Sequence, residues 1–175
     1  MSIKQLLDSN IRDIPDFPKK GIMFKDITPI MQNPQVVTSA IKEIIKEVRG
    51  WDIQAVAGIE SRGFLFGIPL AVMLGVPFIM IRKEGKLPYK TIAQSYELEY
   101  GTATIEMHID ALKKGDRVLI HDDVLATGGT AEAAAKLINQ VGEAIGFSFI
   151  MDLAFLNGKE KLKGYAENVS SLISY

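Results

Sequence analysis

Apolar residues recur along this chain with two spacings, and segments of the two kinds alternate in a way that predicts an open α/β sheet. Mostly apolar runs of strand length predict strands that are buried on both faces, as in a parallel sheet. The first two runs are separated by one helical segment and short connections, which is typical of a βαβ unit. Five such runs lie at 53–59, 76–81, 117–122, 145–156 and 169–175.

The segments between the runs show helical spacing. The clearest helix begins after Asn33, whose side chain can cap it, and Pro34 suits its first turn. Gly50 can end this helix, as Gly75 can end a helix over 64–74. Shorter or weaker patterns predict helices at 2–12 and 130–142. The helix after Asn33 carries its apolar face at Val37, Ile41, Ile44, Ile45 and Val48.

Two segments follow neither pattern. Residues 13–34 hold four of the seven prolines of the chain, which predicts irregular backbone. Residues 91–109 alternate polar and apolar positions around Gly101, which predicts a half-exposed β-hairpin or a mobile flap. The sequence therefore predicts one domain over 1–175. We expect an N-terminal arm over 1–33 and an α/β core over 34–175, with a mainly parallel five-stranded open sheet flanked by helices.

Composition narrows the function classes. The chain has 175 residues with 20 Lys+Arg and 21 Asp+Glu, so its net charge of −1 argues against a nucleic-acid binder. It has no cysteine and two histidines, which excludes thiolate metal sites and disfavours zinc. The N-terminus lacks the apolar core of a signal peptide, which favours a cytoplasmic location. Residues 64–81 are 18 consecutive uncharged residues, but two glycines and two prolines interrupt them and favour a buried helix and strand over a membrane span.

The segment VLIHDDVLATGGT at 118–130 carries the strongest chemical signal. Ligands of open α/β sheets bind beyond the carboxyl ends of the strands, and this segment joins a predicted strand to a predicted helix. Gly128 and Gly129 allow close approach to a ligand, and the helix N-terminus at Thr130 can bind a phosphate monoester. Asp122 and Asp123 can accept hydrogen bonds from a sugar diol or hold hydrated Mg²⁺. The plainer alternative is a solvated acidic turn before a glycine-rich cap.

Asp-Asp followed by Ala-Thr-Gly-Gly-Thr resembles the phosphoribosyl pyrophosphate signature of the type I phosphoribosyltransferases. Further motifs occur in the same order over most of the chain, and they are similar to those of the family members that act on adenine. The last 20 residues or so add little to the resemblance. These further motifs are PDFPKKGIMFKDITP at 15–29, SRGFLFG at 61–67, IRKEGKLP at 81–88 and SYELEYG at 95–101.

The resemblance implies a purine salvage enzyme that converts adenine and phosphoribosyl pyrophosphate to AMP and pyrophosphate with Mg²⁺. It also implies the type I fold, a small base-binding hood in the N-terminal arm, a flap at about 90–108 and a homodimer. Asp122 and Asp123 would bind the ribose hydroxyls, directly or through magnesium-linked water. The other implied ligand contacts are the 5′-phosphate at Ala126, Thr127, Gly128, Gly129 and Thr130, pyrophosphate at Ser61, Arg62, Arg82, Lys83 and Lys86, and adenine at Met23, Phe24 and Lys25.

The resemblance places the proton acceptor of the reaction at Glu99, beside Tyr100 in the flap. Glu97 is a rival, since an alternating strand puts Glu97 and Glu99 on one face. His121 stands where the family usually has an aliphatic residue, and it is either a core histidine or a pH-dependent contact.

Two alternatives to the adenine-specific enzyme stay open. One is a regulator that senses phosphoribosyl pyrophosphate, which the lack of a basic surface disfavours. The other is an oxopurine enzyme, for which Lys25 or Lys90 would supply a donor to the 6-oxo group.

Overall fold

The computed structural model describes residues 1–97 and 101–175 and confirms a mostly parallel sheet flanked by helices. Two strands form a small separate sheet, and seven form the main one. The strands are β1 (Arg12–Pro15), β2 (Met23–Asp26), β3 (Ala55–Ile59), β4 (Phe78–Lys83), β5 (Thr91–Glu97), β6 (Thr102–His108), β7 (Arg117–Leu125), β8 (Glu143–Asp152) and β9 (Asn168–Ser174). The helices are α1 (Ile3–Asp8), α2 (Thr28–Met31), α3 (Pro34–Glu47), α4 (Gly63–Leu74), α5 (Gly129–Ile138) and α6 (Gly158–Leu162).

The main sheet has the order β5-β6-β4-β3-β7-β8-β9. The five strands from β4 to β9 in this order are parallel, as the apolar runs predict, and the antiparallel β5–β6 hairpin extends the sheet beyond β4. Because β3 and β7 are parallel neighbours, the loops that follow them emerge side by side. The candidate site lies where these two loops meet.

The sheet separates two apolar cores. Helices α1, α3 and α4 pack on one face, and α5 and α6 pack on the other. β3 supplies both cores, since Ala55, Ala57 and Ile59 face one and Val56 faces the other. A strand that is buried on both faces needs apolar residues at every position, which is why its sequence shows no alternation.

Helix α3 begins as its sequence indicates. The side chain of Asn33 accepts hydrogen bonds from the backbone N–H groups of Gln35 at 3.2 Å and Val36 at 3.4 Å. The predicted face is confirmed and is wider than predicted, because Val36 is also buried and Val37 is partly buried against the same core. Ile45 is partly buried, and the rest of the face consists of Ala40, Ile41, Ile44 and Val48.

Helix α4 spans twelve residues and ends at Gly75, which adopts a left-handed conformation with φ of 72°. The break between helix and strand therefore lies where the Leu-Gly-Val-Pro pattern predicts it. Within the described part of the chain, every helix is too short or too polar to cross a bilayer.

The expectation of irregular backbone over 13–34 is wrong. Residues Arg12–Pro15 and Met23–Asp26 pair as an antiparallel hairpin, and α2 follows. Pro15 is tolerated because it stands at the end of its strand, where a missing N–H costs little. The loop of seven residues between the strands carries no short-turn signal, so the pairing could not be predicted from local pattern.

Several predicted ends are also wrong. β7 continues from 122 to Leu125 because its pairing with β8 extends to Leu125 and Asp152. β8 stops at Asp152, and residues Ala154–Leu156 form a 3₁₀ turn instead of strand. α1 and α5 end at Asp8 and Ile138, short of the predicted 12 and 142.

The alternating segment forms the predicted hairpin. β5 and β6 pair from Thr91 opposite His108 to Glu97 opposite Thr102. The predicted catalytic residues Glu99 and Tyr100 lie outside the described residues.

His121 is a core histidine. It is fully buried on β7, and its Nδ1 lies 2.9 Å from the hydroxyl of Ser148 on β8. Burial lowers the pKa of His121 to about 4, because a charged imidazole cannot be hydrated there. The ring is therefore neutral near pH 7.

We predict that His121 makes the ligand-free protein acid-sensitive. As the pH falls from 6.5 towards 4, unfolded chains bind a proton at His121 that the folded protein excludes, so the free energy of unfolding decreases. In His121→Gln, the loss between pH 7 and pH 4.5 should be smaller by about 2 kcal/mol. Urea unfolding in buffer with a chelator measures both proteins.

Ser148→Ala is the matched control. It removes the hydrogen-bond partner and keeps the ring, so its pH dependence should follow that of the wild type. Equal losses of stability in wild type and His121→Gln would contradict the prediction.

Candidate functional site

The loops after β3 and β7 meet where α4 begins. A Cβ at Gly63 would lie 2.9 Å from the carbonyl oxygen of His121 and 3.0 Å from Asp122 Oδ1. Only glycine lets the start of α4 approach β7 this closely without displacing it. The approach places Arg62, the residue before α4, beside Asp123, and the peptide between Glu60 and Ser61 is cis.

Two adjacent carboxylates lie at this junction. Asp123 is buried, with 5% of its side chain exposed, and Arg62 Nε lies 2.9 Å from its Oδ2. The two groups are not aligned as a hydrogen bond, and Oδ2 has no hydrogen-bond partner within residues 1–97 and 101–175. Asp122 is half-buried and accepts a hydrogen bond from the Asp123 N–H at 2.9 Å.

The electrostatics of this pair favour a ligand. Burial, and then the neighbouring Asp123, raise the pKa of Asp122 well above its usual range. One arginine, 44% exposed, is the ion-pair partner found for the two carboxylates among the described residues. Hydroxyl donors or a hydrated divalent cation would compensate the remaining charge, so the donor set fits either group.

A cavity of about 500 Å³ opens between the hairpin of β1 and β2, which we call the hood, and the carboxyl ends of β7 and β8. Strand β2 forms one side, and the charged groups come from Lys25 on β2, from the loop after β3, and from Asp122 and Asp123 on β7. The remaining side is apolar and comes from Val124 and the residues that follow β8. The lining residues are Ile22, Met23, Phe24, Lys25, Glu60, Ser61, Arg62, Asp122, Asp123, Val124, Ala126, Met151, Leu153, Phe155 and Leu156.

A second, smaller cavity of about 90 Å³ lies at the N-terminus of α5. It contains the predicted phosphate-binding residues Ala126, Thr127, Gly128, Gly129 and Thr130, which we call the phosphate loop. The first N–H groups of α5 have no preceding helical carbonyl to bind, so they can donate to an anion. The two cavities share Asp122, Val124 and Ala126.

Close backbone packing holds the phosphate loop. Gly128 has φ of 80°, and a Cβ there would lie 2.9 Å from the carbonyl oxygen of Gly158. A Cβ at Gly158 would lie 2.2 Å from the carbonyl oxygen of Ala126. The start of α6 therefore supports the loop from behind.

The predicted base-binding residues lie together at the main cavity. The ring of Phe24 contacts Phe17 edge-on, with centroids 5.1 Å apart. The ammonium group of Lys25 is already engaged, 2.6 Å from Asp13 Oδ1 and 4.0 Å above the ring of Tyr175. β2 pairs with β1 on one side, and the opposite edge can present backbone N–H and C=O groups in alternation.

The predicted pyrophosphate-binding residues divide into two groups. Ser61 and Arg62 line the main cavity, whereas Arg82, Lys83 and Lys86 line neither cavity. Both lysines are exposed, Lys83 at the end of β4 and Lys86 in the turn that follows it.

Glu60 links these two groups. Its Oε2 accepts hydrogen bonds from Arg82 Nε and from the Lys83 N–H, both at 3.0 Å. Burial alone would raise the pKa of Glu60, but these two donors outweigh it and leave the pKa lowered. Glu60 is therefore an anion that joins the loop after β3 to the turn after β4.

The hairpin of β5 and β6, which we call the flap hairpin, contacts the phosphate loop through Tyr96 on β5. Thr130 donates a hydrogen bond to the hydroxyl of Tyr96 at 3.4 Å. Glu97, the predicted rival of Glu99, is exposed.

Sequence reasoning missed Glu60 and the apolar wall of the main cavity. The wall residues read as core in the sequence, because nothing local shows that a cavity lies beside them. The signal that could have found them was their position along the chain. Because β7 and β8 are parallel neighbours, the segment after β8 must lie next to the segment after β7. The missed wall residues are Ile22, Val124, Met151, Leu153, Phe155 and Leu156.

Comparison with known proteins identifies the family. The model of the phosphoribosyl transferase domain matches residues 24–167. An adenine phosphoribosyltransferase from Cytophaga hutchinsonii is 53% identical over 174 residues, which cover 99% of this chain and 96% of that protein.

Two solved structures agree with this match. Adenine phosphoribosyltransferase from Thermoanaerobacter pseudethanolicus superimposes with a TM-score of 0.93 at 47% identity, covering 99% of this chain and 100% of that one. The enzyme from Saccharomyces cerevisiae, solved with an imino-altritol bisphosphate and adenine, has a TM-score of 0.89 at 40% identity, covering 97% and 98%. The chain therefore belongs to the phosphoribosyl transferase domain family and, within it, to the adenine phosphoribosyltransferases.

Proposed function

We propose that this protein holds adenine in the main cavity and phosphoribosyl pyrophosphate across both cavities, with the residue roles given below. The reaction of its family joins adenine to the phosphoribosyl group and gives AMP and pyrophosphate, a step of purine salvage. The protein is thus a transferase.

One observation carries the assignment of the site. The large apolar cavity and the small cavity at the N-terminus of α5 share the wall that bears Asp122. A nucleoside monophosphate has the same order of parts, with an apolar base, a diol and a phosphate. Asp122 and Asp123 would accept hydrogen bonds from the ribose hydroxyls, and the phosphate loop would enclose the 5′-phosphate.

Adenine would lie between the hood and the apolar wall. The ring of Phe24 supplies a stacking surface, with Leu153 and Leu156 on the wall side of the cavity. The backbone groups of Met23 and Lys25, at the free edge of β2, would read the donor and acceptor positions of the purine. A neutral backbone edge matches the amino group and ring nitrogen of adenine.

The leaving pyrophosphate would lie at the loop after β3. Ser61 offers a hydroxyl and a backbone N–H, and Arg62 offers a guanidinium that already reaches the cavity. Asp122 and Asp123 would hold Mg²⁺ through water, and this ion would neutralise charge on the pyrophosphate. Arg82, Lys83 and Lys86 would add positive charge from the end of β4 and the turn that follows it, in part from a partner subunit.

In the chemical step, N9 of adenine forms a bond to C1′ while the bond from C1′ to the pyrophosphate oxygen breaks. The proton of N9 passes to a base, for which we propose Glu99, with Tyr100 beside it. The flap would exclude water from the cationic C1′ centre, which water would otherwise attack.

Two observations disfavour the alternatives to an adenine-specific enzyme. The matched relatives are enzymes, which disfavours a regulator. An oxopurine enzyme would need a free donor, but the ammonium of Lys25 binds Asp13 and Tyr175, and Lys90 does not line the main cavity.

We also propose a homodimer. Helix α4 exposes apolar side chains along one face, and Val72 is 74% exposed. A contiguous exposed apolar surface is typical of an interface. The other members of this face are Leu65, Ile68 and Met73. The cytoplasmic location likewise stays a proposal from the sequence.

The first prediction from the proposed function concerns substrate choice. With phosphoribosyl pyrophosphate and Mg²⁺, the purified protein should form a nucleotide from adenine and not from hypoxanthine, guanine or xanthine, because the hood offers the base a neutral backbone edge. Chromatography of the products after separate incubations measures this. Turnover of an oxopurine at a similar rate would contradict the assignment of adenine as the substrate. If the protein turned over none of the four bases, the proposal that it is an enzyme would be contradicted.

A second prediction separates the two flap carboxylates. Glu99→Gln should lower kcat by about 10²- to 10⁴-fold, because it removes the proposed proton acceptor and keeps the shape of the side chain. Glu97→Gln is the matched control and should retain most of the activity, since Glu97 is exposed. Steady-state kinetics at saturating substrates decide between them, and the reverse ranking would assign the role to Glu97.

A third prediction tests the dimer. The wild type should sediment at twice the chain mass of 19.3 kDa, whereas Val72→Glu should sediment as a monomer, because a carboxylate would be buried in the interface. Activity should fall in proportion to the fraction of monomer, because a monomer lacks the basic residues that the partner subunit would supply.

Thr38→Glu on the exposed side of α3 adds the same charge elsewhere and should remain dimeric. A monomeric wild type with full activity would contradict the proposal.

A further inference from the structure

An ion pair lies beneath the apolar wall of the main cavity. Asp152, the last residue of β8, is 2% exposed, and Lys159 Nζ lies 3.1 Å from its Oδ2. Lys159 also donates a hydrogen bond to the hydroxyl of Ser171 on β9 at 2.8 Å. The other oxygen of Asp152 has no hydrogen-bond partner in the part of the chain that the structure describes. Lys159 is therefore the main compensation for this buried charge.

The ion pair joins the two ends of residues 153–158, which we call the wall loop. The wall loop contributes Leu153, Phe155 and Leu156 to the main cavity. Its last residue, Gly158, contacts the backbone of the phosphate loop at Ala126 and Gly128. One short segment thus borders the proposed adenine site and supports the proposed phosphate site.

The two halves of the wall loop are held differently. In the first half, Leu153 N–H donates to the Leu125 carbonyl and Ala154 N–H donates to the Tyr175 carbonyl, both at 2.9 Å. In the second half, the N–H groups of Leu156 and Asn157 bond only to carbonyls within the loop.

Beyond Leu153, which is partly buried against one of the two cores, the side chains of the loop add little packing. Phe155 is 71% exposed, so the tip of the loop makes few contacts with the body of the protein. Lys159 is the first side-chain anchor after that tip, and the next is the buried Leu162 on α6.

We propose that Asp152 and Lys159 are positioning residues that set the wall loop for both substrates at once. The proposal rests on the proposed function, since it assigns the wall loop to the adenine side and the phosphate loop to the phosphoribosyl side. Neither residue lines the main cavity or the phosphate cavity, so they act through the loop that they anchor. Loss of the anchor weakens binding of adenine directly and binding of phosphoribosyl pyrophosphate through Gly158. The groups that take part in bond making are left in place.

The test replaces Lys159 by Met, which keeps the length of the side chain and removes its charge. We expect the KM for adenine to rise about 10-fold and the KM for phosphoribosyl pyrophosphate about 3-fold, with kcat within about 3-fold of the wild type. Lys159→Arg keeps the cation and should restore both KM values to within about 2-fold of the wild type.

The matched control is Lys163→Met. It removes an exposed pair, at 2.6 Å, between Glu160 on α6 and Lys163 directly after that helix, and should leave every kinetic constant as in the wild type.

A second variant separates positioning from stability. Lys159→Met leaves a buried carboxylate without its cation, with the hydroxyl of Ser174 at 3.4 Å as its remaining donor, and should lower the melting temperature. Asp152→Asn combined with Lys159→Met removes that charge and should recover most of the melting temperature while both KM values stay raised. The double variant also replaces the single one in the kinetic assay if the single one does not fold.

The outcomes are distinct. Unchanged KM values together with a lower melting temperature would overturn the proposal and leave the pair a stabilising contact only. A raised KM for adenine with an unchanged KM for phosphoribosyl pyrophosphate would overturn the link through Gly158. A wild type that forms no AMP from adenine would contradict the proposed function instead. Calorimetric titration with ribose 5-phosphate then decides whether Lys159→Met weakens the phosphate loop, and equal affinities would overturn the proposal.

Discussion

Two adjacent carboxylates near the end of β7, one buried and one half-buried, set the conditions that the rest of the structure meets. Asp122 and Asp123 repel each other, and Arg62 compensates only part of their charge. The arrangement costs folding free energy, so the two apolar cores on either side of the sheet must supply it. A site of this kind is prepared for a ligand that brings hydroxyl donors and positive charge.

The parts of the site that depend on local signals could be predicted from the sequence. The buried strands follow from unbroken apolar runs, and the start of α3 follows from Asn33 and Pro34. The turn at the start of α5 is of the same kind, because Gly128 and Gly129 mark in the sequence where the helix begins. These features need no knowledge of distant residues.

The parts of the site that depend on residues distant in sequence could not be predicted. The hood strands pair across seven intervening residues, and Glu60 finds Arg82 at a separation of 22. Leu153 and Leu156 look like core residues until the hood is placed opposite them. The Asp152–Lys159 pair was equally invisible, since Asp and Lys are ordinary surface residues in most sequences.

The parallel pairing of β3 with β7, which we call the seam, also determines the stage of folding at which the site is complete. Residues 60–116 separate these neighbouring strands along the chain, so their pairing carries the loop-closure entropy of that whole segment. The unit from β3 to β4 holds the loop with Ser61 and Arg62, and the unit from β7 to β8 holds the phosphate loop. Each unit rests on contacts that are close in sequence, whereas the substrate would span both. Such a ligand binds only chains that have closed the seam, and mass action then draws the folding equilibrium towards them.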